Sequence, residues 1–193
     1  MSQRLDKQIE FIYALEKMKS VYRRTHLLHA DRFENDAEHS FHIAAMAFIL
    51  KEYAPEDVDM ERVVFMLLFH DVVEIEAGDT FAYDMENNKT KREREVRAAE
   101  HLYGMLPEEQ GKEMRDLWEE FEAQETPESH FALAMDRIEP ILLNAAGGGG
   151  TWTSHEIKQE DVYARIEPVR EFPPLYAMIK EKVDAHFEGR VSR

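Results

Sequence analysis

No cysteine occurs among the 193 residues. Disulfide staples and thiolate metal sites are thereby excluded, and any bound metal must take nitrogen and oxygen donors. No apolar run approaches the roughly 20 residues that a bilayer span requires. The opening MSQRLDKQIEF has neither a basic n-region nor an apolar h-region, so a cytoplasmic protein free of the membrane is expected. Basic residues are also scarce: 24 against 40 acidic ones give a formal charge of -16. Such a field opposes long nucleic acid and anionic membrane surfaces. A small phosphorylated ligand stays compatible, provided a few local arginines and a cation offset the field. Repeats and low-complexity segments are missing apart from one glycine run, and no stretch alternates as a strand would.

What the chain does have is helical pattern. With 44% apolar residues it can bury a sizeable core, and a single domain over 1–193 is expected. Leu5 to Tyr22 places Ile9, Phe11, Ile12, Leu15 and Met18 at three- and four-residue spacings, an amphipathic helix. Residues 25–35 show no period and read as an irregular connection. Asn35 followed by Glu38 fits a capping box, so a second helix should start there and run to about Tyr53, with His39 on its first turn. A third, from about Asp59 to Val73, is apolar throughout Val63 to Phe69, the content of a central helix surrounded on all sides.

Glu74 to Asn88 reads as a loop. Helices are expected over Lys89 to Met105 and Glu108 to Glu125. Another runs from Glu128 to Ala146, opened by Thr126 as cap with Pro127 at the first helical position. Gly147 to Gly150 stop it. A short helix near Gln159 to Ile166 and a last one from about Pro174 to Phe187 complete an all-α bundle. About six to nine helices are expected around a buried central one.

Chemistry concentrates in FMLLFHDVVEIEAGD, Phe65 to Asp79, where an apolar run ends in His70-Asp71 and is followed by Glu74 and Asp79. An imidazole and a carboxylate at the end of a buried segment need partners, because an unpaired buried charge costs several kcal/mol or more. A metal ion is an economical partner, and His39 and Asp136 are the other metal-type residues that helices carry into apolar surroundings. Two imidazoles and two carboxylates suit manganese, iron, cobalt, nickel or zinc. Each residue also has a plain structural explanation: His39 as a hydrogen-bonded core histidine, Asp136 as half of an exposed pair with Arg137.

The order His39, His70-Asp71, Asp136 on helices of one all-α domain resembles the HD-domain superfamily of metal-dependent phosphohydrolases. Arg32-Phe33-Glu34-Asn35-Asp36-Ala37-Glu38-His39-Ser40 and His70-Asp71-x-x-Glu74-x-x-x-x-Asp79 resemble the two corresponding segments of the bacterial 5'-deoxynucleotidase branch. The likeness covers roughly residues 5 to 140. It implies His39, His70, Asp71 and Asp136 as ligands of a divalent transition metal, and Glu74 as general acid or base beside a metal-activated water. It further implies Asp79 at the sugar of a nucleoside 5'-monophosphate, Arg24 at its phosphate, and a homodimer. Arg32 is a second candidate for the phosphate, because an arginine fork grips it bidentately. One departure stands out: Thr25 occupies the place of a family tryptophan that belongs to the deoxyribose-selective pocket, so sugar preference does not carry over.

His42 lies three residues beyond His39, on a neighbouring helical face, and is expected simply to pack there, a hydrogen bond that supports His39 from behind being the other reading. His101 and His130 fall where two-metal relatives find extra ligands, but His130 is off the face of Asp136 and His101 sits in a charged helix, so one metal per chain is expected. Two other classes stay open. A di-iron oxygenase on an HD-type fold would need His101 or His130 at the metal. A non-catalytic metal-binding helical module would have no use for a free carboxylate such as Glu74.

Overall fold

A computed structural model describes residues 3–191. The longest helix, α8 (Pro127–Ala146), is the one the others gather round, and its sequence explains why. Phe131, Ala132, Ala134, Met135 and Ile138 are all fully buried, which leaves almost no polar stripe for water. Against it lie α2 (Asp36–Ile49), α3 (Met60–Phe69), α7 (Glu108–Ala123) and α11 (Pro173–Val191). Together with α10 (Gln159–Ile166) and the short α9 (Gly150–Ser154) these enclose the larger apolar core.

A second, smaller core joins α1 (Gln3–Leu15) to α6 (Lys91–Gly104), built from Phe11, Ala14, Met18, Ala98, Ala99, Leu102, Tyr103 and Trp118. Val72 and Val73 belong to this second core, whereas Leu67 belongs to the first. His70 and Asp71 therefore sit on the seam between two dry regions.

The capping signals act as the sequence implies. Asn35 Oδ1 accepts from the Glu38 amide at 3.0 Å while Glu38 Oε2 accepts from the Asn35 amide at 3.2 Å. Thr126 caps α8 in the same reciprocal way with Ser129. The fold is all-α apart from one hairpin, and eight helices reach eight residues or more among those described.

Four expectations are corrected. The connection over 25–35 is in part an antiparallel hairpin, β1 (Tyr22–His26) with β2 (Phe33–Asn35), in register at Tyr22–Asn35 and His26–Phe33. It escapes detection because only Thr25 of β1 is buried, so no apolar alternation betrays it. The first helix ends at Leu15 and tightens into a 3-10 segment, Glu16–Ser20, with Ile9 and Ile12 left 38% and 55% exposed. The third stops at Phe69, and Phe65 is 47% exposed, so α3 is not enclosed on all sides. Residues 74–88 carry two single helical turns, α4 (Glu74–Ala77) and α5 (Met85–Asn88).

Candidate metal centre

Between α3 and α4 the chain follows a 3-10 turn, His70–Val73. Three residues per turn bring side chains at i and i+3 into line, and this is why Asp71 and Glu74 face the same cavity. The His70 ring is set by its backbone: Nδ1 donates to the Leu67 carbonyl at 2.9 Å, which leaves the Nε2 lone pair pointing inward. Nε2 lies 3.1 Å from Asp71 Oδ1 and 4.0 Å from Asp136 Oδ1. From the first turn of α2, His39 Nε2 comes within 3.2 Å of the same Asp136 oxygen.

Behind His39 stand two carboxylates, those of Glu139 and Glu34. Its Nδ1 is 3.4 Å from Glu139 Oε2 and 3.5 Å from Glu34 Oε2, and the other Glu139 oxygen is 3.0 Å from His42 Nδ1. A carboxylate behind a ligating imidazole fixes its tautomer and raises its basicity. His42 is therefore not simply packed, as expected, but half-exposed and paired with Glu139.

Charge is unevenly balanced here. Burial and the Arg23 guanidinium disfavour a proton on His39, yet Asp136, Glu139 and Glu34 outweigh both and raise its pKa well above the imidazole norm. Burial works against ionised Asp136 too, but Arg137, His39 and His70 hold it well below the usual carboxylate range. Glu74 moves the other way: burial, then Asp71 and Asp36, push its pKa well up. Burial and Asp71 likewise push Asp36 up to about 8.

The donors fit a hard-to-borderline cation. His39, His70 and Asp136 each offer one ligand atom, all within 4.8 Å of one another, and Asp36, Asp71 and Glu74 form a second such group. His70 Nε2, Glu74 Oε2 and both Asp36 oxygens are buried without a hydrogen-bond partner. Buried polar atoms seldom stay unpaired, and a cation would satisfy the inward-facing ones.

The sequence-derived site residues are therefore only partly gathered. His39, His70 and Asp136 converge, and Asp71 joins them through His70 while its second oxygen accepts from Arg23 Nη1 at 2.7 Å. Glu74, Asp79 and Arg24 line a cavity of about 240 Å³ above the cluster. Arg32 is not brought there: it forms a surface pair with Glu38 Oε1 and Oε2 at 2.5 and 2.8 Å. Arg23, Asp36, Glu34, Glu139 and Arg165 are site residues that the sequence reading misses, and Arg137 enters it only as a partner for Asp136, a pairing present here at 3.0 Å but with Asp136 buried. Glu139 had a usable signal, three residues after Asp136 on one helix; the others had none in spacing.

The glycine run closes the far wall. Gly148, Gly149 and Gly150 all have positive φ, and a Cβ on Gly150 would strike Asn144 Oδ1. That oxygen instead accepts from the Thr151 amide and hydroxyl at 2.7 and 2.8 Å, which holds Thr151 and Trp152 at the cavity.

The chain is similar to several known proteins. A crystal structure described as a predicted metal-dependent phosphohydrolase from Magnetospirillum magnetotacticum MS-1 is 45% identical, with a TM-score of 0.89 over 96% of this chain and 93% of that one. An HD-domain phosphohydrolase from Listeria innocua, 18% identical with a TM-score of 0.60 over 91% of this chain and 99% of that one, shares the fold. The 5'-deoxynucleotidase HDDC2 of Bos taurus is 31% identical over 135 residues, 69% of this chain and 64% of that protein. The match thus spans less than two thirds of the bovine relative's length. The HD domain family model matches residues 15–174, and the chain belongs to that family.

Proposed function

We propose that this protein is a metal-dependent phosphohydrolase that cleaves a phosphomonoester of a small molecule, most simply a nucleoside 5'-monophosphate. The observation that carries this reading is the convergence of His39, His70 and Asp136 donor atoms at the floor of a cavity that also holds Asp71 and Glu74. The names of the HDDC2 and Magnetospirillum relatives support the same chemistry.

His39, His70, Asp71 and Asp136 would hold one divalent cation, manganese, iron, cobalt, nickel or zinc. When bound, the cation supplies Lewis acidity toward phosphoryl oxygen and brings the pKa of water toward neutrality.

The protein's own groups do the rest. Glu74 Oε1 faces Lys91 Nζ at 3.9 Å while Oε2 has no partner, so one oxygen is anchored and the other is available to take or give a proton. Arg23 keeps the Asp71 carboxylate ionised and turned. Arg24, exposed at the rim, can grip phosphate oxygens through a bidentate fork. Asp79 lines the same wall, within reach of a sugar hydroxyl. Thr25 is buried there as well and leaves room where the family tryptophan would select deoxyribose.

Neither alternative gains support. His101 Nδ1 is paired with Glu76 at 2.7 Å and His130 with Glu171 at 2.9 Å, and neither lines the cavity, as an oxygenase site would require. A closed structural metal site would leave no open cavity beside an uncommitted Glu74. The protein is further proposed to be a cytoplasmic homodimer. No helix among the described residues is long and apolar enough to cross a membrane, and the exposed Phe41, Phe48 and Ile49 on α2 are compatible with a second copy.

The test is phosphate release from a panel of nucleotides and sugar phosphates after metal reconstitution, with Glu74→Ala as control. Turnover should fall by roughly 10²–10⁴ with metal content retained; an unchanged rate removes Glu74 from its role.

A further inference from the structure

Five cationic side chains line the cavity above the metal-type cluster: Arg23, Arg24, Lys91, Arg137 and Arg165. Three are engaged. Arg23 is held by Asp71, Lys91 lies 3.3 Å from Glu95 Oε1, and Arg137 Nη1 donates to Asp136 Oδ2 at 3.0 Å. Arg24 and Arg165 make no hydrogen bond or ion pair among the described residues. In a chain with 40 acidic residues against 24 basic ones, a guanidinium left without a carboxylate needs a reason. A phosphate at the rim gives Arg24 one, but not Arg165.

Arg165 is held in place by its helix. On α10, Val162 and Ile166 are fully buried, which anchors the element and fixes where Arg165 emerges. Burial and the neighbouring Arg137 charge push its pKa down to about 10, so two like charges share a partly enclosed space. An anion between them would relieve that repulsion, and guanidinium forks bind phosphate and carboxylate in two-point fashion. Arg137 and Arg165, with Ala82 and Tyr83, also line an adjoining cavity of about 620 Å³, to which Lys158 contributes. The two cavities therefore share these two arginines in their walls. Of the acids there, Glu156 and Asp161, the latter accepts from the Lys158 amide at 3.4 Å.

We propose that Arg165, with Arg137, holds a second anionic group of the substrate, so that the class turned over is a phosphomonoester bearing a further phosphate or carboxylate. This rests on the hydrolase reading above and narrows it.

The experiment measures kcat/KM of the metal-reconstituted full chain on matched ester pairs. One arm adds a phosphate, adenosine 5'-monophosphate against adenosine 3',5'-bisphosphate and ribose 5-phosphate against ribose 1,5-bisphosphate. The other adds a carboxylate, glycerol 3-phosphate against 3-phosphoglycerate. Wild type should favour the doubly anionic member by about tenfold or more in one arm, the lower range for a charge-assisted contact, and that arm identifies the group. Arg165→Gln should shrink the preference at least about fivefold, and Arg165→Lys should restore part of it. A wild-type preference near one in both arms, or a preference that Arg165→Gln leaves intact, overturns the inference.

If no ester is turned over, the hydrolase reading fails by itself, and the second anion site is judged by calorimetry on metal-loaded protein. Pyrophosphate should bind wild type at least about fivefold more tightly than Arg165→Gln, with inorganic phosphate little affected; equal pyrophosphate affinities overturn the site. Circular dichroism confirms that the variant is folded, as expected for a side chain without protein partners.

Discussion

Replacing Arg23 with methionine removes the positive charge on which the buried carboxylates converge. Nη1 lies 2.7 Å from Asp71 Oδ2 and 3.7 Å from Asp36 Oδ1, Nε 3.8 Å from Glu34 Oε2, and Nη2 3.9 Å from Asp136 Oδ1. Only 11% of the side chain is exposed, so water cannot substitute for it. Methionine keeps most of the stem, which confines the change to charge and hydrogen bonding. Breaking a buried pair by removing one partner costs about 3–5 kcal/mol. Asp36, with its pKa near 8, is largely neutral at pH 7 and adds little, so the penalty falls chiefly on Asp71. In a chain of this size roughly 2–4 °C of Tm accompany each kcal/mol, and the metal-free variant should melt roughly 6–20 °C below wild type.

Two further readings sharpen the test. Burial opposes an ionised Asp71, but His70 and Arg23 hold its pKa below the carboxylate range. A folded-state pKa that is depressed stabilises above the unfolded value, about 3.9 for aspartate, and the gain is lost as pH falls through the folded value. The gap between wild type and Arg23→Met should therefore be full at neutral pH and shrink below about pH 4. Adding a divalent cation at about 100 times its Kd stabilises wild type by about 2.7 kcal/mol; the same concentration should stabilise the variant more, because its carboxylates have lost their internal cation. Thermal melts by circular dichroism, metal-stripped and metal-loaded, measure both. A metal-free loss under about 1 kcal/mol, or a gap that the metal does not narrow, refutes the reasoning.

Metal uptake at neutral pH should release about one proton, since the carboxylates hold a proton on His39 that coordination must displace. Calorimetry in buffers of different ionisation enthalpy reads this, and a slope of zero contradicts it. Thr126→Ala removes the α8 cap and should cost about 1 kcal/mol in urea unfolding, with ester turnover little changed. Gly149→Ala places a Cβ at φ 106° against the His186 ring and Thr153 Oγ1. With that ring packed on Trp152 at 5.2 Å, the variant should lose about 1–3 kcal/mol; a neutral result shows that the turn can relax.

The metal-type residues were legible because their signals are local: a histidine one turn into a capped helix, a His-Asp pair ending an apolar run, an aspartate amid buried α8 residues. Arg23 and Arg24 show why the rest was not. Adjacent in the sequence just beyond the expected first helix, they look equivalent. On a strand, successive side chains take opposite faces, so Arg23 turns into the carboxylates while Arg24 stays at the rim. Nothing in YRRTH alternates by hydropathy to announce that geometry. Arg165 is a different case, since its place depends on how α10 docks after the glycine turn, a long-range matter that spacing along the chain does not encode. Asp36 stands in the first turn of α2, where an acid is ordinary, and only the fold brings it within 3.7 Å of Arg23, thirteen residues earlier.

The side chains proposed to hold the ion and those proposed to meet the ligand belong to different parts of the scaffold. His39, His70 and Asp136 come from α2, the 3-10 turn and the middle of α8, whose neighbours are locked in two dry interiors. Arg24 and Arg165 ride on a short hairpin and on α10, at the margins. A change of ligand would thus need alterations in two outlying pieces only, with the buried cluster beneath left as it stands.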